Sequence, residues 1–325
     1  MSEKQQLKPI PTVANIQQPQ VSLALTDPGM LTRLLELGPQ PCLRSCLKRL
    51  GWKDIPLAVL DAERDGGFTV ARVHIGNEFC ERLLPTPAQI KTALQQTELL
   101  GVEMSLLTPL LTDSGIKRLS PLLELLPDGT EVVVNDWGTL RLVRRHYPAL
   151  TPLLGRLLYK MIKDPRLPSA QWTKLHPHSG QSKPFHQLLA RFGVEAIEMD
   201  LPPFTQPEQF QIGELGLSVH LPYGYVVKGR MCRIGSLGLD DKDKFVAGHA
   251  CQKECLDYVT PLERPNQAAD QPAQDLVGFQ RGNTQFYRYS SAMEASLVEA
   301  VKQGSIKCLV FAGDWNEHRC PSEPS

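Results

Sequence analysis

The stretch PDGTEVVVNDWGTLRLVRRHY, residues 127–147, decides the fold class of this sequence. Its Pro-Asp-Gly opening is typical of a tight turn. EVVVND, residues 131–136, is a short continuous apolar run of the kind found in buried parallel strands. Residues 138–147, GTLRLVRRHY, have the apolar spacing of a short helix. A turn, a buried strand and a helix in this order predict a parallel β/α unit.

The same alternation of strand and helix continues on both sides of this unit, in steps of roughly 25–40 residues. About seven or eight strand candidates suit an α/β fold of the (β/α) TIM-barrel type, complete or incomplete and decorated. The candidates include residues 55–61, 68–75, 102–110, 131–136, 194–200, 215–221 and 305–313. An open doubly wound sheet is the rival architecture. The glycine-rich phosphate loops G-x-G-x-x-G and G-x-x-x-x-G-K-[ST] that mark its nucleotide-binding members do not occur here.

The chain is predicted to divide into four segments. Residues 1–20, rich in Gln, Pro and Lys, are expected to form a disordered tail. The Leu spacing of residues 21–52 predicts a helical N-terminal extension. Residues 53–312 then form the barrel-like domain, and residues 313–325 form a flexible tail.

The composition is that of an ordinary globular protein. Of 325 residues, 42% are hydrophobic, and 35 Lys and Arg balance 35 Asp and Glu. Zero net charge argues against a protein that coats DNA nonspecifically or that binds membranes through a polybasic surface. No stretch approaches the ~18 consecutive apolar residues of a membrane span, and residues 1–20 lack the apolar core of a secretion signal. We therefore expect a soluble cytoplasmic protein without a membrane span.

Three of the eight cysteines cluster in a polar segment. These are Cys232, Cys251 and Cys255, with three residues between the last two. That gap can present two thiolates to one metal site, and both zinc and iron–sulfur clusters accept such ligands. Four protein ligands are wanted, so one is missing locally. The alternative is a set of unrelated buried thiols.

Cys80 is the candidate for the fourth ligand. It follows the predicted strand 68–75, and Cys232 follows the predicted strand 215–221. The carboxyl ends of barrel strands converge on one face, where sites are built. The sequence therefore predicts that Cys80 meets the three clustered cysteines at this face.

Three stretches carry a resemblance to a known family. They are IGNEFCERLL around Cys80, VVVNDWGTLRLV around Asp136, and HLPYGYVVKGRMC followed by CQKEC. This pattern resembles the collagenase-like peptidase family of unknown catalytic type (the U-type peptidases), and within it the UbiV-like branch. The resemblance covers roughly residues 68–255.

The resemblance implies a cofactor, a reaction and a partner. It implies a [4Fe-4S] cluster held by Cys80, Cys232, Cys251 and Cys255, and a role in oxygen-independent hydroxylation of the ubiquinone-biosynthesis kind. It implies a homologous UbiU-like family member as partner in a hetero-oligomer. The wider family also contains proteins that hydroxylate tRNA or ribosomal RNA, and proteins labelled as peptidases. A non-catalytic module with a structural metal is the third alternative.

Five residues are candidates for a catalytic role. His220, Tyr223, Tyr225 and Arg230 precede Cys232 in the sequence, and the histidine could shuttle a proton. Asp136 follows a predicted strand, after Asn135, but capping of the next helix explains it equally well.

Between Arg141 and Arg166 the chain carries an excess of positive charge. The basic residues are Arg141, Arg144, Arg145, His146, Arg156, Lys160, Lys163 and Arg166, against one acid, Asp164. This segment could bind RNA or an anionic small molecule. A solvated face or a subunit contact is the alternative.

The remaining cysteines are expected to be inert. Cys42 and Cys46 share the C-x-x-x-C spacing but have no further ligands nearby, so we interpret them as packing residues rather than a second metal or redox pair. Cys308 lies in an apolar predicted strand, and Cys320 lies in the polar tail. No G-x-S-x-G or H-E-x-x-H motif supports peptidase activity.

Overall fold

The computed structural model of this chain describes residues 18–53, 67–165, 167, 169–172, 178–244, 251–262 and 276–315. Eight parallel strands form a closed barrel. They are Gln20–Leu25 (β1), Arg72–Gly76 (β2), Glu103–Leu107 (β3), Glu131–Val134 (β4), Thr151–Leu154 (β5), Ala196–Met199 (β6), Gly216–Leu221 (β7) and Cys308–Ala312 (β12). Strand β12 pairs with both β7 and β1 and so closes the barrel.

Helices connect most of these strands. They are Leu43–Arg49 (α1), Pro87–Leu99 (α2), Asp113–Leu123 (α3), Trp137–His146 (α4), Lys183–Arg191 (α5) and Ser291–Lys302 (α6). Their starts are set by capping residues. Thr86 and Gln89 form a capping box at α2, and Asp136 accepts the Thr139 N–H at the start of α4, at 2.8 Å.

A second, antiparallel sheet is inserted between β7 and α6. Its strands are Tyr223–Lys228 (β8), Thr260–Leu262 (β9), Gly278–Arg281 (β10) and Thr284–Arg288 (β11), in the order β8-β11-β10-β9. We call it the cap sheet. The Tyr287 hydroxyl donates to the backbone oxygen of Leu201, and the Leu201 N–H donates to the Tyr289 hydroxyl. Leu201 follows β6, so the cap sheet sits over the carboxyl ends of the barrel strands.

Aromatic side chains join the cap sheet to the barrel. The Tyr223 ring stacks on Trp315 with centroids 4.7 Å apart, and meets Phe279 edge-on at 5.0 Å. All three rings are buried. Aromatic pairs of this kind add to the large apolar area that each ring buries. The cap sheet therefore shares one hydrophobic core with the barrel.

The predicted TIM-barrel fold is confirmed, and the predicted segment boundaries are corrected at two places. Residues 20–25, assigned to the tail and a helical extension, form β1, because QVSLAL pairs with strands on both sides. Trp315, assigned to the flexible tail, is 7% exposed because its ring packs under the cap sheet. Residues 1–17 of the predicted tail, the predicted strand 55–61 and residues 316–325 lie outside the described residues.

Among the described residues, no helix has both the length and the apolar character needed to cross a bilayer.

Candidate functional site

The turn after β2 holds Cys80 at the carboxyl end of the barrel. The side-chain Oδ1 of Asn77 accepts hydrogen bonds from the backbone N–H groups of Phe79 and Cys80, each at 2.9 Å. Asn283, in the turn between β10 and β11, donates from its side chain to the Phe79 backbone oxygen at 2.9 Å. One asparagine of the barrel and one of the cap sheet therefore fix the backbone that carries Cys80.

The other three cysteines lie in the segment between β8 and β10. Cys232 follows β8, and its sulfur accepts the backbone N–H of Gly235 at 3.2 Å. The Cys251 sulfur accepts the backbone N–H of Lys253 at 3.3 Å. Cys255 lies in a short 3-10 turn and is buried. Hydrogen bonds to sulfur are one of the means by which proteins tune iron–sulfur sites.

All four predicted ligands line one pocket, which we call the cysteine pocket. Its cysteines are Cys80, Cys232, Cys251 and Cys255. Gly282 forms part of the wall. A Cβ added there would lie 3.5 Å from the Cys255 sulfur and 4.0 Å from the Cys232 sulfur. The structure thus brings Cys80 and Cys255 into one pocket, although they are 175 positions apart in the sequence.

Burial raises the pKa of three thiols in the cysteine pocket, those of Cys232, Cys251 and Cys255. It is the main cause that raises the pKa of Cys255 to about 12; the Arg281 guanidinium lowers this pKa, and the three neighbouring cysteines raise it. Burial also raises the pKa of Cys232 and of Cys251. Such thiols stay protonated at neutral pH on their own, whereas coordination to a metal deprotonates a thiol outright. The cysteine pocket therefore suits a metal that displaces their protons.

The spacing of the sulfurs bears on which metal group fits. A tetrahedral zinc with Zn–S bonds of about 2.3 Å brings its sulfurs to about 3.8 Å from one another. Among the described residues, no three of the four cysteine sulfurs lie within 4.8 Å of one another. Four cysteines are a donor set that either a zinc ion or an iron–sulfur cluster can use.

A second pocket, which we call the chamber, lies at the barrel mouth beside the cysteine pocket. Its cavity volume is about 30 Å³, enough for about two water molecules. Asn77, Phe79, Arg281 and Phe286 line both pockets. Arg281 donates from Nε to the backbone oxygen of Cys255 at 3.1 Å. Only a shared wall of side chains therefore separates the chamber from the cysteines.

Buried charges lie beneath the chamber. Arg156 donates from Nη2 to Glu78 at 2.7 Å and from Nη1 to Asp200 at 2.6 Å. Lys163 donates to the other Asp200 oxygen, also at 2.6 Å. Although burial raises the pKa of Asp200, the cations Lys163 and Arg156 outweigh it and hold this pKa below its usual range. Removing any one partner would leave a buried charge without compensation.

A histidine–carboxylate pair adjoins these charges. His220 Nε2 lies 2.7 Å from Glu198 Oε2, and His74 Nε2 lies 3.6 Å from Glu198 Oε1. Burial lowers the pKa of both histidines to about 4, so both imidazoles are neutral at pH 7. Burial likewise raises the pKa of Glu198. We call Glu78, Arg156, Lys163, Glu198, Asp200 and His220 the mouth network.

The predicted catalytic candidates separate into two groups. His220 belongs to the mouth network. Tyr225 donates to the Arg156 backbone oxygen at 3.3 Å, and Lys163 lies over its ring. Asp136 serves as the cap of α4, and Arg230 is exposed on the loop after β8.

The other two residues of the same stretches have structural roles. Tyr223 lines the chamber, and its ring stacks on Trp315. Asn135 is buried, donates to the backbone oxygen of Thr108 at 2.9 Å and accepts the N–H of Leu157 at 3.1 Å. These bonds tie the ends of β3, β4 and β5 together.

The sequence prediction missed the carboxylates of the mouth network, and it assigned Arg156 and Lys163 to a basic surface. Glu78, Arg156 and Asp200 each follow a barrel strand, at the carboxyl ends of β2, β5 and β6. Charged residues immediately after buried strands were the available signal, because these ends meet on one face. Glu198 lies within β6 itself, and its only signal is a charge inside an apolar run.

The basic segment 141–166 does not form one surface. Arg156 and Lys163 are buried and paired with carboxylates, so they cannot bind phosphates at the surface. Lys160 donates to the Leu157 backbone oxygen at 2.7 Å. The segment's remaining described cations include Arg141, Arg144, Arg145 and His146, all on α4. Arg166 lies outside the described residues.

The remaining cysteines lie outside the cysteine pocket. Cys42 is exposed at the start of α1, and Cys46 is buried on that helix. Cys308 is buried in β12, where its sulfur lies 3.2 Å from the Ser22 hydroxyl. Cys320 lies outside the described residues.

Comparisons with known proteins identify no family for this chain. No family model and no curated protein matches the chain. Solved structures with a similar arrangement include a domain described as the C-terminal domain of a chitinase from Desulfitobacterium hafniense DCB-2, at 10% identity and a TM-score of 0.36, covering 93% of this chain and 96% of that one. The Bacillus megaterium QM B1551 spore cortex-lytic enzyme SleL follows at 7% identity and a TM-score of 0.36, covering 96% and 76%.

A glycoside hydrolase family 18 N-acetylglucosaminidase from Paenibacillus barengoltzii is similar at 7% identity and a TM-score of 0.34, covering 93% of this chain and 97% of that one. At these identities and scores the likenesses carry no argument about activity. The resemblance to the collagenase-like peptidase family accordingly stays a prediction from the sequence.

Proposed function

We propose that this chain binds a [4Fe-4S] cluster and acts in oxygen-independent hydroxylation together with a homologous partner. The observation that carries the first part is the convergence of Cys80 with Cys232, Cys251 and Cys255 in one pocket at the carboxyl face of the barrel. The hydroxylation and the partner rest on the motif resemblance. The proximity of the cysteine pocket to the chamber supports them, because a substrate in the chamber would lie beside the cluster.

The four cysteines would hold the cluster, which supplies one-electron transfer when bound. Four thiolates saturate its irons, so substrate binding falls to the chain's other residues. The Phe79, Phe286 and Trp315 rings line the chamber. They offer apolar faces to any ligand group that displaces the water there. His220, neutral at pH 7, also lines the chamber and can donate or accept a proton there.

The test of the cluster is iron and acid-labile sulfide analysis of anaerobically purified protein. We expect about four irons and four sulfides per chain and a broad absorption near about 400 nm. Replacing Cys80, Cys232, Cys251 or Cys255 by Ala should each lower both contents. Cys308→Ala is the matched control, because Cys308 is also buried but lies in β12, outside the cysteine pocket. This variant should leave the iron and sulfide contents unchanged.

Two outcomes would redirect the proposal. A colourless protein that carries zinc would make this a module with a structural metal. An iron content unchanged in all four variants would remove the cysteine pocket from the function altogether. The partner is tested separately, by anaerobic co-purification with a homologous family member; a chain that carries the cluster but stays alone would reject the hetero-oligomer and keep the cluster.

A further inference from the structure

Three ligand-type side chains meet at the base of the chamber, apart from the cysteines. Glu78, Glu198 and His220 each offer an atom to a group whose members all lie within 4.8 Å of one another. His220 Nε2 is 2.7 Å from a Glu198 oxygen and 3.9 Å from a Glu78 oxygen. All three are buried, Glu198 with 1% of its surface exposed. They come from β6, β7 and the end of β2, so the barrel itself fixes their positions.

One oxygen of this group has no hydrogen bond. Glu198 Oε1 is buried and, among the described residues, has no hydrogen-bond partner; His74 Nε2 stands 3.6 Å away. A buried carboxylate oxygen left in this state costs free energy. A cation bound to Glu198 would remove that cost.

The ion pairs of the mouth network also leave room for a cation at Glu198. Arg156 and Lys163 pair with Glu78 and Asp200, so two cations face two carboxylates. Among the described residues, Glu198 pairs with the imidazoles of His74 and His220. A buried carboxyl group in this position can carry its charge only if a further cation compensates it.

We propose that Glu78, Glu198 and His220 bind one divalent transition-metal cation, Mn²⁺ or Fe²⁺, at the base of the chamber. Two carboxylates and one imidazole suit these ions, since carboxylate ligands favour manganese and imidazole favours iron. Glu78 and His220 line the chamber, so the open coordination positions of the ion face it. A ligand with an oxygen donor could then bind the metal there. Arg156 orients Glu78, as residues around metal ligands commonly do.

The test is titration of the full-length protein with MnCl₂ after chelator treatment, with free Mn²⁺ followed by EPR. We expect saturable binding of one Mn²⁺ per chain. Glu198→Gln keeps the shape of the side chain and should weaken this binding by at least about tenfold, and His74→Gln, which acts through Glu198, by about tenfold. Thermal unfolding of each variant shows whether it is folded, and Glu78→Gln replaces Glu198→Gln if that variant does not fold.

Two controls make the result specific. Glu36→Gln removes an exposed carboxylate that pairs with Arg49 and should leave Mn²⁺ binding unchanged. Iron and sulfide analysis of Glu198→Gln is the second control, because Glu198 does not line the cysteine pocket and its replacement should leave both contents unchanged; the metal site can therefore fail while the cluster stands. Absence of saturable binding, or equal affinity in wild type and Glu198→Gln, would overturn the proposal. A proton on the carboxyl group of Glu198 would then be what neutralises it.

Discussion

Gly282 lies so close to Cys255 that a Cβ at residue 282 would stand 3.2 Å from the Cys255 Cβ and 3.5 Å from its sulfur. The φ of Gly282 is +57°, in the left-handed region that favours glycine. The turn between β10 and β11 thus presents bare backbone to the cysteine pocket, and any side chain there would take space from a bound group.

Gly282→Ala should therefore lower both stability and metal content. The left-handed backbone costs alanine about 1 kcal/mol, and the added methyl narrows the cysteine pocket. Gly129→Ala is the matched control, because Gly129 has a φ of +81° but nothing within 4 Å of its added Cβ. We expect similar losses of unfolding free energy in urea for both variants, but loss of iron only in Gly282→Ala. Equal iron contents would show that the methyl group is accommodated.

Asn77 should be needed for metal loading although it is not a predicted ligand. Asn77→Ala leaves the backbone N–H groups of Phe79 and Cys80 without their acceptor, which we expect to cost about 1–3 kcal/mol and to displace Cys80. Asn77→Asp keeps the acceptor oxygen and should restore most of the iron content. The measurements are iron analysis and thermal unfolding. Equal loading in Asn77→Ala and wild type would show that the turn holds Cys80 without this side chain.

Asp200 should be the most sensitive charge of the mouth network. Asp200→Asn leaves Arg156 and Lys163 short of a buried counter-charge and should destabilise the protein by about 3–5 kcal/mol. Asp241→Asn breaks an exposed pair with Lys244 and should change stability by less than about 1 kcal/mol. Urea unfolding monitored by circular dichroism separates the two. Equal small effects would mean that water reaches the buried pair.

The two cysteines of α1 should differ in reactivity. Cys42 is exposed, whereas burial is the main cause that raises the pKa of Cys46 to about 12. At pH 8 a thiol with that pKa is ionised to only about one part in ten thousand, and the thiolate is the form that reacts. Iodoacetamide should therefore label Cys42 in the native protein and Cys46 only after unfolding, as peptide mass spectrometry would show. Labelling of Cys46 should rise with pH, towards 12. Comparable rates at pH 8 would contradict the burial of Cys46.

The sequence was sufficient for the barrel where strands are continuous apolar runs. The strand Glu131–Val134 was predicted because its apolar residues are uninterrupted and a helix follows. Arg72–Gly76 was predicted within residues 68–75, where apolar residues predominate although Thr69, Arg72 and His74 interrupt them. Gln20–Leu25 was missed, since it stands between a polar segment and a Leu-rich one and its partners are distant in sequence. Of the cap sheet, residues 284–290 were predicted as a strand, which matches Thr284–Arg288; the sheet itself was not predicted, because its strands are short and separated by polar, Pro-containing loops.

The site was predictable only where residue type limits the chemistry. Cysteines are rare enough that Cys80 could be linked to Cys255 through the convergence of barrel strand ends. Glu78 and Asp200 are common residue types that follow strands, where surface charges and helix caps also occur. Their pairing with Arg156 depends on the closed barrel, and sequence spacing alone contains no trace of it.

Three of the four thiols belong to the inserted segment that carries the cap sheet, and the fourth, Cys80, belongs to the barrel. A metal cluster bound by all four would cross-link the barrel and the cap sheet, which are otherwise joined by aromatic contacts and a few hydrogen bonds. Losing the cluster would therefore weaken the attachment of the cap sheet over the chamber, and it would also remove an electron carrier.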